Sequence, residues 1–287
     1  MDIFLIELDR YMIECQSRGL SNKTMSSYDQ TLRLFHRYLI EQQDVNNPAK
    51  VKRDHITEYF IYIRQRGKYG AFSNDMSARQ NRPHNRSDFG REVSETTLAN
   101  YQRNINAFFN YLYRNKIIKK NPCEGIEKIR PVRKVKSLLT ENELKLFFTT
   151  FDVSRFHEYR NWIIARLILD TGARIGELLE TLPTDIDIRN GAMLLRMTKS
   201  GKERIVYFSQ KMGRELKSWL EYKDRYSDSP HVFPSTRGKK MDVRNIETAF
   251  KKHSRMVGLD VQPHQLRNNF AKYYLVNGRE LAEARRR

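Results

Sequence analysis

The 287-residue sequence predicts a mainly α protein with one small antiparallel β-sheet, divided into two domains. Three observations carry this. Apolar residues recur at intervals of three and four through the first half; the period changes to alternation only around residues 185–208; and a proline-bracketed basic stretch separates the halves. The length suits two domains of ordinary size, each with its own core.

Taken in order, "DIFLIELDRYMIECQSRGL" sets Phe4, Leu5, Leu8, Tyr11 and Met12 on one helical face, and Gly19 ends it. "SNKTMSSYDQTLRLFHRYLIEQ" opens with a cap at Ser21 and carries Tyr28, Leu32, Phe35 and Leu39 inward. A third helix, "RDHITEYFIYIRQRG", stops at Gly67. The fourth begins near Ser94 or Glu95 and turns Leu98, Tyr101, Ile105, Phe108, Phe109 and Leu112 to the core. Between the third and fourth, residues 67–94 have no period and are rich in Asn, Ser, Arg and Gly, which predicts an inserted loop. Its Lys68, Arg79, Arg82, Arg86 and Arg91 are candidates for gripping phosphates. The first domain thus covers residues 1–125.

Residues 126–138 hold five Lys or Arg and one Glu, and read as an extended basic linker. Lys128, Arg130, Arg133, Lys134 and Lys136 are its candidate contacts to a polyanion. The second domain, 139–287, opens with a capping box, Thr140 and Glu143. A buried helix then runs to Gly172, and a short one, "RIGELLET", follows. "DIDIRNGAMLLRMTKSGKERIVYF" alternates as three strands, with two-residue turns at Asn190-Gly191 and Ser200-Gly201. "MGRELKSWLEYKDRYS" and "RNIETAFKKHSRMVGL" return to helix.

Lys plus Arg number 53 against 34 Asp plus Glu, a net charge of +19. Such an excess points to a polyanionic partner. No apolar run is long enough for a membrane span, and the first residues carry acids where a signal peptide needs bases, so the expectation is a soluble cytoplasmic protein with no membrane partner. Cys15 and Cys123 match no zinc spacing and are expected to be reduced and structural.

"DTGARIGELLETLPTDID", "TKSGKERIVYF" and "PHQLRNNFA", in this order with a sheet between the first two, resemble the catalytic domain of the tyrosine recombinases, the phage-type integrases and Xer-like recombinases. The four-helix first half is similar to that family's SAM-like core-binding domain, so the resemblance spans roughly residues 1–280. It implies a site-specific recombinase or integrase of a mobile element in bacteria or phage. Such an enzyme closes as a C-shaped clamp on double-stranded DNA at specific recombination sites and works as a tetramer, with directionality or bending factors as further partners. It also implies cutting and rejoining through a 3′-phosphotyrosyl link, with no metal or other cofactor.

That chemistry gives the matched residues their expected roles. With no metal, the charge developing on the pentavalent phosphorus falls to side chains. Arg174 and Arg267 match the two clamps, since a guanidinium donates paired hydrogen bonds and keeps its proton. Lys199, at the tip of the second hairpin, matches the lysine that protonates the leaving 5′-oxygen; Lys202 is its competitor and otherwise a DNA contact. His264 matches the first histidine of the HxxR box, which donates to the phosphate and assists the nucleophile's proton transfer. The plainer readings are a surface arginine for Arg174 and a helix-capping histidine for His264. Glu177 and Asp185 are expected to hold structure together, and the other histidines are ordinary.

By the family's spacing the nucleophilic tyrosine falls beyond Arg287, which is expected to leave a chain that binds DNA without cutting it. Tyr273 and Tyr274 follow Arg267 on the same helix, and the pattern of Leu266, Phe270, Tyr274 and Leu275 assigns them to packing. Two other classes remain open at this point: a non-catalytic DNA-binding regulator or architectural protein, and a type IB topoisomerase or telomere resolvase.

Overall fold

The computed structural model describes residues 2–72, 82, 85–132, 138–196 and 203–276. The chain divides into two compact units, Met1–Lys134 and Val135–Arg287.

The first unit is helical: α1 (Ile3–Ser17), α2 (Asn22–Gln43), α3 (Arg53–Arg66) and α4 (Glu95–Arg114). The predicted caps act as expected, Ser21 and Ser94 accepting from the backbone nitrogens of Thr24 and Thr97. Inside lies an aromatic cluster in which Phe35 packs on Tyr59 at 4.9 Å between ring centres and Phe4 on Phe108 at 5.2 Å. Asn104 would be a poor choice for a buried helical position, but its side-chain nitrogen lies 2.9 Å from Thr31 Oγ1 and 3.1 Å from the Ser27 carbonyl, tying α4 to α2. The predicted loop after α3 is closed at its base, where Lys68 N–H donates to the Arg91 carbonyl (2.9 Å) and Gly90 N–H to that of Lys68 (3.0 Å). Within it Arg86 sits over the Tyr69 ring at 4.1 Å, and Arg86 and Lys68 both approach Asp88. Arg82 and Arg91 are exposed; Arg79 lies outside the described residues.

The beginning of the basic stretch packs on this unit. Buried Gln102 of α4 donates to the Glu127 carbonyl and accepts from Ile129 N–H, both at 2.8 Å, and Ile126 and Ile129 lie against the core. Lys128 and Arg130 are therefore held at the surface by a fixed backbone, and both side chains are exposed. Cys15 and Cys123 are buried and unpaired, and burial pushes the Cys123 thiol up to about 12.

The second unit contains α5 (Glu141–Thr149), α6 (Phe156–Thr171), the single turn α7 (Ile175–Leu178), strands β1 (Ile186–Asp187), β2 (Ala192–Leu195) and β3 (Arg204–Tyr207), then α8 (Gln210–Tyr226), α9 (Val243–Met256) and α10 (Pro263–Val276). The Thr140–Glu143 capping box forms as the sequence requires. The sheet is antiparallel in the order β1-β2-β3. Apolar α6 is buried centrally, and Trp219 of α8 is fully enclosed with its indole N–H on the Val232 carbonyl at 2.9 Å. No helix among the described residues is long and apolar enough to cross a membrane.

The first hairpin differs from expectation. Asp187 pairs with Ala192, so the loop is the four residues 188–191 and not the two-residue turn Asn190-Gly191. The Asp187 carboxylate is the reason: it accepts from Asn190 N–H (2.9 Å) and from its side-chain amide (2.6 Å), holding a wider turn in which only Gly191 is left-handed, at φ +62°. The second predicted turn, Ser200-Gly201, lies outside the described residues.

The last described helix is fastened to the start of the unit. Asn269 is fully buried; its side chain donates to the Leu139 carbonyl (2.6 Å) and accepts from Leu139 N–H (3.2 Å). An Asn269→Ala variant strands both groups of buried Leu139 and is expected to destabilise the unit by about 2 kcal/mol, read as a shift in denaturant midpoint. An unchanged midpoint would mean that Leu139 finds other partners.

Candidate phosphate-binding site

Arg174 enters the site at the turn between α6 and α7. Gly172 ends α6 in the left-handed region at φ +64°, Ala173 is buried, and Arg174 then caps α7 with extended backbone at ψ 140°. A four-residue helix has little stability of its own, and Glu177 supplies what it lacks. One oxygen of its carboxylate accepts from Arg174 N–H at 3.0 Å, and the other from the Arg174 guanidinium at 2.8 Å. Arg174 stays about half exposed while the Glu177 side chain is only 2% exposed, so the pair is anchored from below with the cation at the surface.

A second guanidinium reaches the same carboxylate: Arg204 of β3 donates to Glu177 Oε2 at 2.7 Å. Burial works to raise the pKa of Glu177, but hydrogen bonds from Arg204 and Arg174 prevail and hold it below the usual carboxylate range.

Arg267 comes from α10. Pro263 takes the first position of that helix, and the Gln265 side chain accepts from Gln262 N–H at 2.9 Å, fixing where it begins. Half-buried Arg267 has its pKa lowered by burial first and then by the nearby charges of Arg174 and Arg204, against a smaller opposing effect of Glu177. One of its guanidinium nitrogens, Nη1, is buried with no hydrogen-bond partner among the described residues. A buried cationic donor left open costs free energy in the unliganded protein, and an anion supplies what it lacks. His264 stands exposed one turn before it, in the first turn of α10, where backbone N–H groups also favour negative charge.

Packing holds the two halves of the site together. A β-carbon on Gly172 would lie 2.3 Å from Phe270 Cδ1, so glycine is what lets the ring of α10 rest on the turn that leads to Arg174. The structure thus brings Arg174 and Arg267 into one electrostatic neighbourhood and places His264 on the helix that carries Arg267. Lys199 and Lys202 lie outside the described residues, as do Arg133, Lys134 and Lys136 of the linker. Glu177 and Asp185 are buried as expected, Asp185 accepting from Leu182 N–H (3.0 Å) and from Arg196 (2.7 Å). Tyr274 is buried and Tyr273 packs against the core. Sequence reading passed over Arg204. The available signal was strand alternation, which puts it on the same face as buried Val206.

Three guanidinium groups, those of Arg174, Arg204 and Arg267, thus gather around the single carboxylate of Glu177 above a small sheet and a capped turn, an arrangement that favours an anion. Comparison with known proteins agrees. Residues 137–286 match the model of the phage integrase family, and residues 4–129 that of the phage integrase SAM-like domain. Tyrosine recombinase XerD of Halalkalibacterium halodurans is 24% identical over 272 residues, 92% of this chain and 82% of the relative. Tyrosine recombinase XerA of Pyrococcus furiosus is 32% identical over 161 residues, 54% of each chain. Among solved structures, the Tn1549 transposon integrase in complex with circular intermediate DNA superposes with a TM-score of 0.69 at 17% identity, covering 98% of this chain and 90% of that one. A lambda integrase tetramer bound to a Holliday junction gives 0.69 at 17%, covering 98% and 75%. The chain belongs to the phage integrase family and is by family a tyrosine recombinase, an enzyme that breaks and rejoins DNA strands.

Proposed function

We propose that this chain grips duplex DNA at a recombination site of a mobile element, with Arg174 and Arg267 clamping the scissile phosphate. The observation that carries the reading is Arg267, half-buried with an open donor and set beside Arg174. No hydrogen-bond acceptor among the described residues stands at that nitrogen as a phosphate oxygen would. His264, one turn away on α10, donates to the same phosphate and assists proton transfer from the nucleophile. Lys199 protonates the 5′-oxygen as the phosphorus–oxygen bond to it breaks and the bond to a tyrosine oxygen forms. Lys128 and Arg130, on backbone pinned by Gln102, take phosphates of the DNA backbone, and Arg133, Lys134, Lys136 and Lys202 extend that track.

Family membership favours this over a passive DNA-binding regulator, and the SAM-like first domain favours a recombinase over a type IB topoisomerase or telomere resolvase. Assembly as a tetramer on DNA is part of the reading, by likeness to the lambda integrase complex. Neither Tyr273 nor Tyr274 is the nucleophile, because both serve packing on α10.

The test is a gel-shift and covalent-adduct assay on residues 1–287. The expected result is a salt-sensitive shift of duplex DNA with no denaturation-resistant adduct. An adduct that disappears in Tyr273→Phe or Tyr274→Phe would overturn the tyrosine assignment, and a shift insensitive to salt would overturn the phosphate clamp.

A further inference from the structure

We propose that Arg204 is a positioning residue of the phosphate site: by neutralising Glu177 it leaves the charges of Arg174 and Arg267 free for the anion. This inference rests on the clamp reading given above. Glu177 orients Arg174, accepting from both its backbone N–H and its guanidinium. The same carboxylate, buried directly behind Arg174, would also cancel most of that cation's pull on a phosphate if it stood alone. Arg204 removes the conflict. Its guanidinium takes the Glu177 oxygen that already receives the Arg174 N–H, at 2.7 Å, leaving the other oxygen on the Arg174 side chain.

The charges then balance the reaction. Within the arginine–glutamate cluster alone, leaving aside Lys199 and His264, Arg174, Arg204 and Arg267 against Glu177 leave two positive charges. A phosphodiester brings one negative charge, and the phosphorane formed when an oxygen adds to it carries two. The cluster is therefore matched to the transition state more closely than to the bound substrate, the direction in which catalysis works. Without Arg204 only one positive charge remains, and the match moves back to the ground state. Position supports the assignment: Arg204 pairs with Leu195 across the sheet, faces inward with Val206, and meets Glu177 beneath α7.

The test measures how binding of the 287-residue chain to a short fluorescent duplex depends on salt. Arg204→Gln is expected to weaken binding and to reduce the slope of log K against log salt by about 0.9, the value for one lost phosphate charge. Arg204→Lys should keep the slope. The decisive variant is the pair Glu177→Gln with Arg204→Gln, which removes the carboxylate and its compensator together and should bring the slope back to the original value. A pair as weak as Arg204→Gln alone overturns the proposal, because Arg204 would then touch DNA directly or only support the fold. Wild-type behaviour of Arg204→Gln overturns it as well. Should Arg204→Gln fail to fold, Glu177→Gln alone decides: a steeper slope supports compensation, and an unchanged or shallower one contradicts it. Arg267→Ala, run alongside, separates the two levels. If it leaves the slope unchanged the clamp reading itself fails, whereas if it lowers the slope while the pair shows no rescue, only the role of Arg204 fails.

Discussion

Gly172→Ala is expected to be among the most damaging single-methyl changes in the second unit, costing about 4 kcal/mol or more and weakening DNA binding together with stability. Two penalties add. The residue sits at φ +64°, where an L side chain is disfavoured by roughly 1–2 kcal/mol. The new methyl would also lie 2.3 Å from Cδ1 and 2.6 Å from Cε1 of Phe270, well inside contact distance. Those atoms form the flank of the ring, so relief requires turning the ring away from its place beside Tyr274 or moving α10 bodily. Either way Arg267, one turn earlier on α10, shifts against Arg174, two residues after the glycine. Thermal unfolding and DNA affinity check this together. A stable Gly172→Ala protein with unchanged affinity would show that α10 is not seated on this turn.

Arg267→Met should move the same two quantities in opposite directions. In the free protein the guanidinium is partly desolvated, feels the charges of Arg174 and Arg204, and has no hydrogen-bond partner for Nη1 among the described residues. Since both neighbours disfavour the charged form and arginine stays charged at any ordinary pH, the cation is a net strain that methionine relieves while filling the volume. Melting temperature is therefore expected to rise. DNA affinity is expected to fall on the order of tenfold or more, the worth of hydrogen bonds from a charged donor to phosphate. Sulfate or inorganic phosphate should stabilise the original protein and have less effect on the variant. A variant that melts lower and still binds as tightly would assign Arg267 to structure instead of to phosphate.

Much of this was legible beforehand because local signals act locally. Helix period, the serine caps, the Thr140–Glu143 box and the glycine stops are each decided within a few residues, and the elements formed where they indicated. Arg174, His264 and Arg267 are singled out by motif, and the structure puts Arg174 and Arg267 in one electrostatic neighbourhood. What escaped depends on partners far along the chain. The hairpin at Asn190-Gly191 was misjudged because an aspartate outside the dipeptide holds the turn open. Asn269 gave no sign of its tie to Leu139, 130 residues earlier. Arg204 looked like one more cation in a basic protein until the strand turned it toward Glu177. Gly172 was read as a helix stop, and its second duty, yielding space to Phe270, belongs to tertiary packing alone.

The tie between Asn269 and Leu139 also sets a timetable. During synthesis the region around Leu139 leaves the ribosome long before α10 exists, and until then its backbone groups have only water to bond. Arg174 and Arg267 cannot come together before α10 emerges and docks against the Gly172 turn. Contacts this distant in sequence form late and slowly. A nascent chain therefore displays its basic surface well before Arg267 can stand beside Arg174.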